Sequence, residues 1–302
     1  MTKTLNHYFP VLDDGFCALK GFMGNDDEIE QAARVSYGKG TRKTSDTRNL
    51  LRFLLRHHHT TPFEMGEVKF HIRAPIYVIR QWHRHRTWSY NEYSGRYSEM
   101  IDSMEKTHAD KWREQSGSNK QGSGGFLDPF QGQHLSESEA FLHGDMTKVY
   151  QDRLTQGVAK EQARKDLPVS NYTEMYAKVD LKNLFGFLRL RCDSQAQWEI
   201  RQYANIMAGA VQELFPISFE AWYDYHYTAS SFTRLDKLML EFYMKEISET
   251  LHRENHSYED YAKEIGMGKR ELTEFWNKIL PVEDQDFSLD FSKTYEIKED
   301  AE

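Results

Sequence analysis

Between Glu67 and Trp82 the apolar residues of this chain change period. Val68, Phe70 and Ile72 alternate with Lys69, His71 and Arg73, which predicts a strand with one buried face. Pro75 then suits the first turn of a helix, and Ile76, Ile79 and Trp82 follow at helical spacing. A strand feeding straight into a helix commits the chain to an α/β or α+β arrangement, and it sets whatever follows Trp82 on a rigid base.

Other segments agree. Asp26 to Ser36 and Asp46 to His57 read as helices, the second with Leu50, Leu51, Leu54 and Leu55 as its buried stripe and Asp46 as its N-cap. Ser136 and Glu139 stand at capping-box spacing for a helix reaching Gln156, with Gly157 at its C′ position. A short helix holding Arg164 ends before Pro168, and Asn171 to Asp180 reads as a strand. Helices over Leu181 to Arg191 and Ser194 to Leu214 are separated at Cys192-Asp193 and closed by Pro216. From Gln115 to Gly132 the chain turns to Ser, Gly, Gln and Asn, which predicts an exposed loop. Two further helices are expected at Phe232 to Leu251 and Tyr258 to Leu280, before an acidic tail. Helices should outweigh strands.

Charge decides which partners such a chain can take. A net charge of −8 argues against a nucleic-acid surface, which needs an excess of Lys and Arg. No apolar run approaches the roughly 20 residues of a membrane span, and the first residues lack a signal peptide's apolar segment, so a soluble cytoplasmic protein is expected. Cys17 and Cys192 have no metal-ligand spacing and should be reduced and buried. His57-His58-His59 and the nearby His83 and His85 have no further ligands at suitable spacing, so no metal site is expected.

Against this acidic background, Arg84-His85-Arg86-Thr87-Trp88-Ser89-Tyr90-Asn91-Glu92-Tyr93-Ser94-Gly95-Arg96 gathers three arginines, a histidine and two serines. Guanidinium forks match phosphate and carboxylate oxygens, and Ser94-Gly95 lets backbone N–H groups approach a ligand. Tyr90, Tyr93 and Tyr97 recur at helical spacing whereas Arg84 and Arg86 would share a face only if extended. The segment is therefore expected to leave a helix end and continue as an irregular loop. The string resembles the R-H-R-x-x-S-x-N-x-x-S-x-R signature of the flavin-dependent thymidylate synthases at every fixed position. His59-Thr60-Thr61-Pro62-Phe63-Glu64 is similar to that family's H-x-T-P-F-E segment, and Arg80-Gln81-Trp82 precedes the signature as the family has it. Leu188 to Ile200, with Arg191, Asp193, Ala196, Gln197, Trp198 and Glu199, resembles its L-R-x-D-x-x-A-Q-W-E-I stretch. The similarity runs from about residue 14 to 225.

The resemblance implies a mixed, largely antiparallel sheet flanked by helices. It implies a core over 1–228, with 115–132 as an inserted loop, and an extra helical C-terminal extension over 229–302. It implies reductive methylation of dUMP to dTMP, with 5,10-methylenetetrahydrofolate as carbon donor, NADPH as reductant and bound FAD, in a homotetramer whose sites are shared between subunits. Uracil would be activated by the charge of Arg191 at N3, with no cysteine nucleophile. dUMP would be met by Gln81, Arg84, Glu92, Tyr93, Ser94, Gly95, Arg96, Arg164 and Arg191, with Arg96 and Arg164 at its phosphate. FAD would be met by Thr61, Arg84, His85, Arg86, Glu92, Asp180 and Lys182, and His59 would lie near flavin and folate.

By this resemblance Arg191, His59 and Ser94 stand closest to the chemistry. Ser94 is expected to hydrogen-bond dUMP, since no base stands at a spacing that would make it a nucleophile. Asp180 and Lys182 occupy positions where the family usually has Asn and Arg, and Gly186 one where many members have Asn or His. Two alternatives use the same residues: a non-catalytic flavin- or nucleotide-binding homologue, and a flavin oxidoreductase without methyl transfer. The oxidoreductase would not need Arg191 or Ser94-Gly95-Arg96.

Overall fold

In chain order the strands are β1 (Tyr8–Val11), β2 (Gly15–Met23), β3 (Glu67–Pro75), β4 (Ser89–Glu92), β5 (Arg113–Gln115), β6 (Ser123–Phe126) and β7 (Tyr172–Asp180). This computed structural model describes residues 2–37, 47–117, 120–248, 258–264 and 286–295, with Leu272, Thr273, Phe275, Trp276 and Lys278. One antiparallel sheet has the order β1-β2-β3-β7-β4, and β5 and β6 form a separate hairpin. The alternation in β3 does what its period requires: Val68, Phe70 and Ile72 are buried while Lys69 is exposed. β3 pairs along its whole length with β7, from Glu67 opposite Asp180 to Pro75 opposite Tyr172.

The helices are α1 (Asp26–Arg34), α2 (Thr47–Arg56), α3 (Ile76–Trp82), α4 (Pro129–Thr155), α5 (Lys160–Ala163), α6 (Leu181–Arg191), α7 (Trp198–Leu214), α8 (Pro216–Trp222), α9 (Arg234–Ser248) and α10 (Tyr258–Glu264). α7 is the core helix. Ile200, Tyr203, Ala204, Met207, Ala208 and Val211 are fully buried, and the Tyr203 hydroxyl donates to the carbonyl of Arg73 at 2.8 Å. Burying each larger apolar side chain is worth about 1.5–3 kcal/mol, which makes this helix the main clamp on the sheet.

Several local expectations change. The arginine signature is not irregular beyond its helix, because Ser89–Glu92 forms β4 against the free edge of β7. There Trp88 and Tyr90 stack with ring centroids 6.0 Å apart, at strand rather than helical spacing. α4 starts ahead of the expected capping box: Asp128 caps it by accepting from the Phe130 N–H at 2.9 Å, with Pro129 in the first turn. Ser136 and Glu139 instead pin the preceding loop, Ser136 donating to the Thr107 carbonyl and Glu139 accepting from the Thr107 N–H. The expected loop at 115–132 contains β6 and the start of α4, and α7 begins at Trp198 rather than Ser194. Asn25, one residue ahead of the expected start, caps α1. Asp26 is buried and accepts from the N–H groups of Ile217 and Ser218. Asp46, the far end of the Tyr258 to Leu280 helix and the acidic tail lie outside the described residues.

The chain divides into two compact units, 1–222 with 287–302, and 223–286. The segment from 229 onward is thus split between them. In the smaller unit Met239, Ala262, Leu272 and Phe275 form a core, and Asp236 and Thr233 cap α9 reciprocally. In the larger unit 287–295 straps the sheet's first strand. The Tyr295 N–H donates to the Tyr8 carbonyl at 2.7 Å, its hydroxyl donates to Asp14 at 3.0 Å, and Phe291 meets Phe9 edge-on. The strap passes so close to α7 that a Cβ at Gly209 would lie 2.6 Å from the Phe287 carbonyl oxygen.

Candidate active site

α6 leaves β7 at Asp180, whose side chain caps it by accepting from the Asn183 N–H at 2.9 Å, and its far end carries Arg191 to the end of α3. There the guanidinium makes three contacts. Nε donates to His85 Nε2 at 3.1 Å, Nη2 to the Gln81 carbonyl at 3.2 Å, and Nη1 to Gln81 Oε1 at 3.4 Å. His85 can accept only as the neutral ring protonated on Nδ1. Burial, and then the charge of Arg191, hold its pKa down to about 4. Phe187 stacks on Trp82 at 5.0 Å and meets His85 edge-on at 4.8 Å, making an apolar floor. The Tyr90 hydroxyl lies within hydrogen-bonding distance of the carbonyls of Trp82 and His85 and closes the turn between α3 and β4. Burial lowers the Arg191 pKa, but a guanidinium keeps its charge. Among the described residues no carboxylate pairs with it. A half-buried cation held by neutral acceptors is a site prepared for an anion.

A second group surrounds the end of β4. Glu92 accepts from Thr173 Oγ1 at 3.0 Å and stands 3.8 Å from His83, and the Tyr93 hydroxyl donates to the Glu99 carbonyl. The Ser94 carbonyl accepts from the N–H groups of Tyr97 and Ser98. Gly95 is buried where a Cβ would overlap Met100 Sδ and lie 3.1 Å from Arg164 Cδ, so this glycine brings Arg164 beside the signature. Arg96 pairs with Glu161 at 3.0 Å on an exposed surface.

The third group lies at the other end of β3 and β7. Thr61 opens a 3₁₀ turn, Thr61–Met65, and Glu64 in that turn meets Lys182 at 3.5 Å. His59 is exposed, follows His58 at φ 59°, and lies 6.2 Å from the ring of Phe53 in a near-parallel arrangement. Arg84 and Arg86 are exposed, and neither is in an ion pair among the described residues. Gly186 on α6 faces open space. Among the described residues, no hydrogen bond or ion pair joins Arg96 or Arg164 to Arg191, His85 or Gln81.

Behind Gln81 lies a cavity of about 780 Å³ walled by the β5–β6 hairpin, α3 and the start of α7. Gln81 donates to Gln197, Gln197 to Glu199 at 2.7 Å, and Glu199 pairs with Arg113 of β5. Arg113 has no role that its sequence position suggests. In the sequence, only the second family-like stretch distinguishes Gln197 and Glu199. Tyr77 donates to Glu105 in the same cavity, and burial, with Glu199 nearby, raises the Glu105 pKa to about 7. A carboxyl raised in the folded state stabilises it in the protonated form. That contribution is complete below the ordinary carboxylate range near 4.5 and is lost as pH rises toward about 7. Glu105→Gln, which keeps an acceptor for Tyr77, is therefore expected to be more stable than the parent at pH 8 by up to about 3 kcal/mol. The difference should shrink to within about 1 kcal/mol at pH 5. Urea unfolding at both pH values measures this, and a pH-independent difference would remove Glu105 as a buried titrating group.

Residues 19–217 match the family model described as thymidylate synthase complementing protein. A flavin-dependent thymidylate synthase of Wolbachia pipientis is 40% identical over 278 residues, covering 91% of this chain and 92% of its own. Another, from Thermus thermophilus, is 42% identical over 272 residues, covering 90% and 95%. Among solved structures, the UMP/dUMP methylase PolB from Streptomyces cacaoi bound with 5-Br UMP is similar with a TM-score of 0.64 and 31% identity. It covers 71% of this chain and 96% of its own.

Proposed function

The chain belongs to the flavin-dependent thymidylate synthase family, and on that premise we propose how its own residues methylate dUMP. The half-buried guanidinium of Arg191, held by His85 and Gln81 with no carboxylate partner among the described residues, carries this reading. Set beside uracil, its fixed charge lowers the free energy of the ring ionised at N3 and raises electron density at C5, where carbon is added and from which a proton must leave. Neutral His85 holds the guanidinium in place without adding a second charge. A thiol adding at C6 could do the same work, but Cys17 and Cys192 are buried thiols outside any disulfide among the described residues, and burial pushes both up, away from thiolate.

Arg164, packed beside Gly95, and Arg96, next to that glycine in the chain, would take the phosphate of dUMP. Ser94, Gly95, Tyr93, Glu92, Gln81 and Arg84 would complete the nucleotide site. FAD fits the exposed forks of Arg84, shared with the nucleotide site, and Arg86, which have no ion-pair partner among the described residues and suit a pyrophosphate. Thr61, His85, Glu92, Asp180 and Lys182 would hold its other parts, and His59 would stand near flavin and folate. When bound, FAD supplies the hydride, drawn from NADPH, that completes the methyl group once 5,10-methylenetetrahydrofolate has given its carbon.

The assembly we propose is a homotetramer with shared sites. Phe130, Phe141, Leu142 and Val149, large apolar residues left exposed on α4, support it. Among the described residues no helix is long and apolar enough to cross a membrane, and we place the enzyme in the cytoplasm.

The decisive assay gives the FAD-loaded protein dUMP, 5,10-methylenetetrahydrofolate and NADPH, then omits each in turn. dTMP is expected only with all three. A flavin-loaded protein that made none would overturn the reading in favour of a binding protein.

A further inference from the structure

We infer that Glu199, anchored by Arg113, is a positioning residue that acts through Gln197 to decide which end of the Gln81 amide faces Arg191. The inference rests on the reading of Gln81 and Arg191 as residues that meet dUMP.

Polarity along the chain of contacts carries it. Glu199 is 5% exposed, and its two oxygens are divided, Oε1 to Arg113 Nη2 and Oε2 to the Gln197 amide N–H at 2.7 Å. Having turned its nitrogen to Glu199, Gln197 has only its oxygen for Gln81, and it accepts from Gln81 Nε2. Gln81 must then turn its own oxygen to Arg191, where Oε1 accepts from Nη1 at 3.4 Å. A side-chain amide can be reversed in place, so its orientation is set by its partners. Both ends of this relay are irreversible: a carboxylate paired to arginine only accepts, and a guanidinium only donates. Reversing either glutamine would aim the Gln81 N–H groups at those of Arg191. The guanidinium would lose one of its three holders and, with it, its aim at the base.

Glu199→Gln tests this, because it keeps shape and replaces one oxygen by a donor. The charge of Arg113 should retain the remaining oxygen, leaving the new N–H to face Gln197 and reverse both glutamines. In the FAD-loaded protein dUMP binding, measured by equilibrium dialysis, is expected to weaken about tenfold or more. Release of tritium from C5-labelled dUMP should fall in step, while flavin content and melting temperature stay near the parent's. The double variant Gln197→Glu/Glu199→Gln restores the order: the carboxylate at 197 accepts from both amides, and the oxygen at 199 accepts from Arg113. It is expected to recover dUMP binding to within about threefold of the parent. Gln197→Met cuts the link without disturbing the Arg113 pair and should weaken binding as Glu199→Gln does, which guards against a folding defect in either.

Parent-like binding by Glu199→Gln and Gln197→Met, or a double variant as weak as Glu199→Gln, would overturn the relay. A parent that binds dUMP but makes no dTMP would overturn the proposed reaction, with the relay still judged by binding. A parent that does not bind dUMP would overturn both.

Discussion

Arg191→Ala is expected to remain yellow and folded while releasing tritium from C5-labelled dUMP about 10²–10³-fold more slowly, the usual loss when one preorganised electrostatic stabiliser is removed. Among the described residues Arg191 contacts His85 and Gln81 and no carboxylate, so its removal strands no buried anion there. Stability should therefore be unchanged or slightly raised, which separates a chemical defect from a folding defect. Arg191→Lys should recover little, because a single ammonium cannot hold both the His85 ring and Gln81 in the fork that the guanidinium makes. Measuring tritium release under saturating dUMP isolates the step, and a wild-type rate in Arg191→Ala would mean that the uracil is activated elsewhere.

Arg96→Ala and Arg191→Ala are each expected to be inactive alone and to recover activity together. If one pocket takes Arg96 from one chain and Arg191 from another, then a random mixture of the two variants leaves about a quarter of the sites with neither defect. Co-expression with two different tags, followed by sequential purification, gives assemblies that contain both variants. dTMP formation at a sizeable fraction of the parent rate is the expected result. Silence in verified mixed assemblies would place both arginines in the same subunit's pocket. Because each variant alone is silent, the contrast is large and needs no fine kinetics.

Periodicity made parts of the fold legible. β3, α3, β7 and α6 each carry a long, clean pattern, and together they bring Arg191 to Gln81 and His85. β2 carried no such signal: Gly15 to Leu19 is buried throughout, so it reads as a continuous apolar run with no period to assign. β4 is four residues long, and what makes it a strand is the open edge of β7, far away in sequence. At α4 a serine and a glutamate at capping-box spacing lie inside a longer helix, where they fasten a loop. The arginine signature and its partners were legible as residue types. Their grouping was not, because Arg113, Glu199, Gln197 and Gln81 become neighbours only after the sheet, the hairpin and α7 have formed.

The strap at 287–295 has a consequence for how the molecule is made. Tyr295 supplies the N–H for the Tyr8 carbonyl and the hydroxyl for Asp14, and Phe287 crosses α7 above Gly209. β1 is therefore completed by residues made long after it, on the far side of the whole second unit. Until they are made, the face of Phe9 that meets Phe291 and the carbonyl of Tyr8 that accepts from Tyr295 lack those partners. A chain that stops within residues 223–286 lacks the strap, and its sheet is left unfinished at the β1 edge.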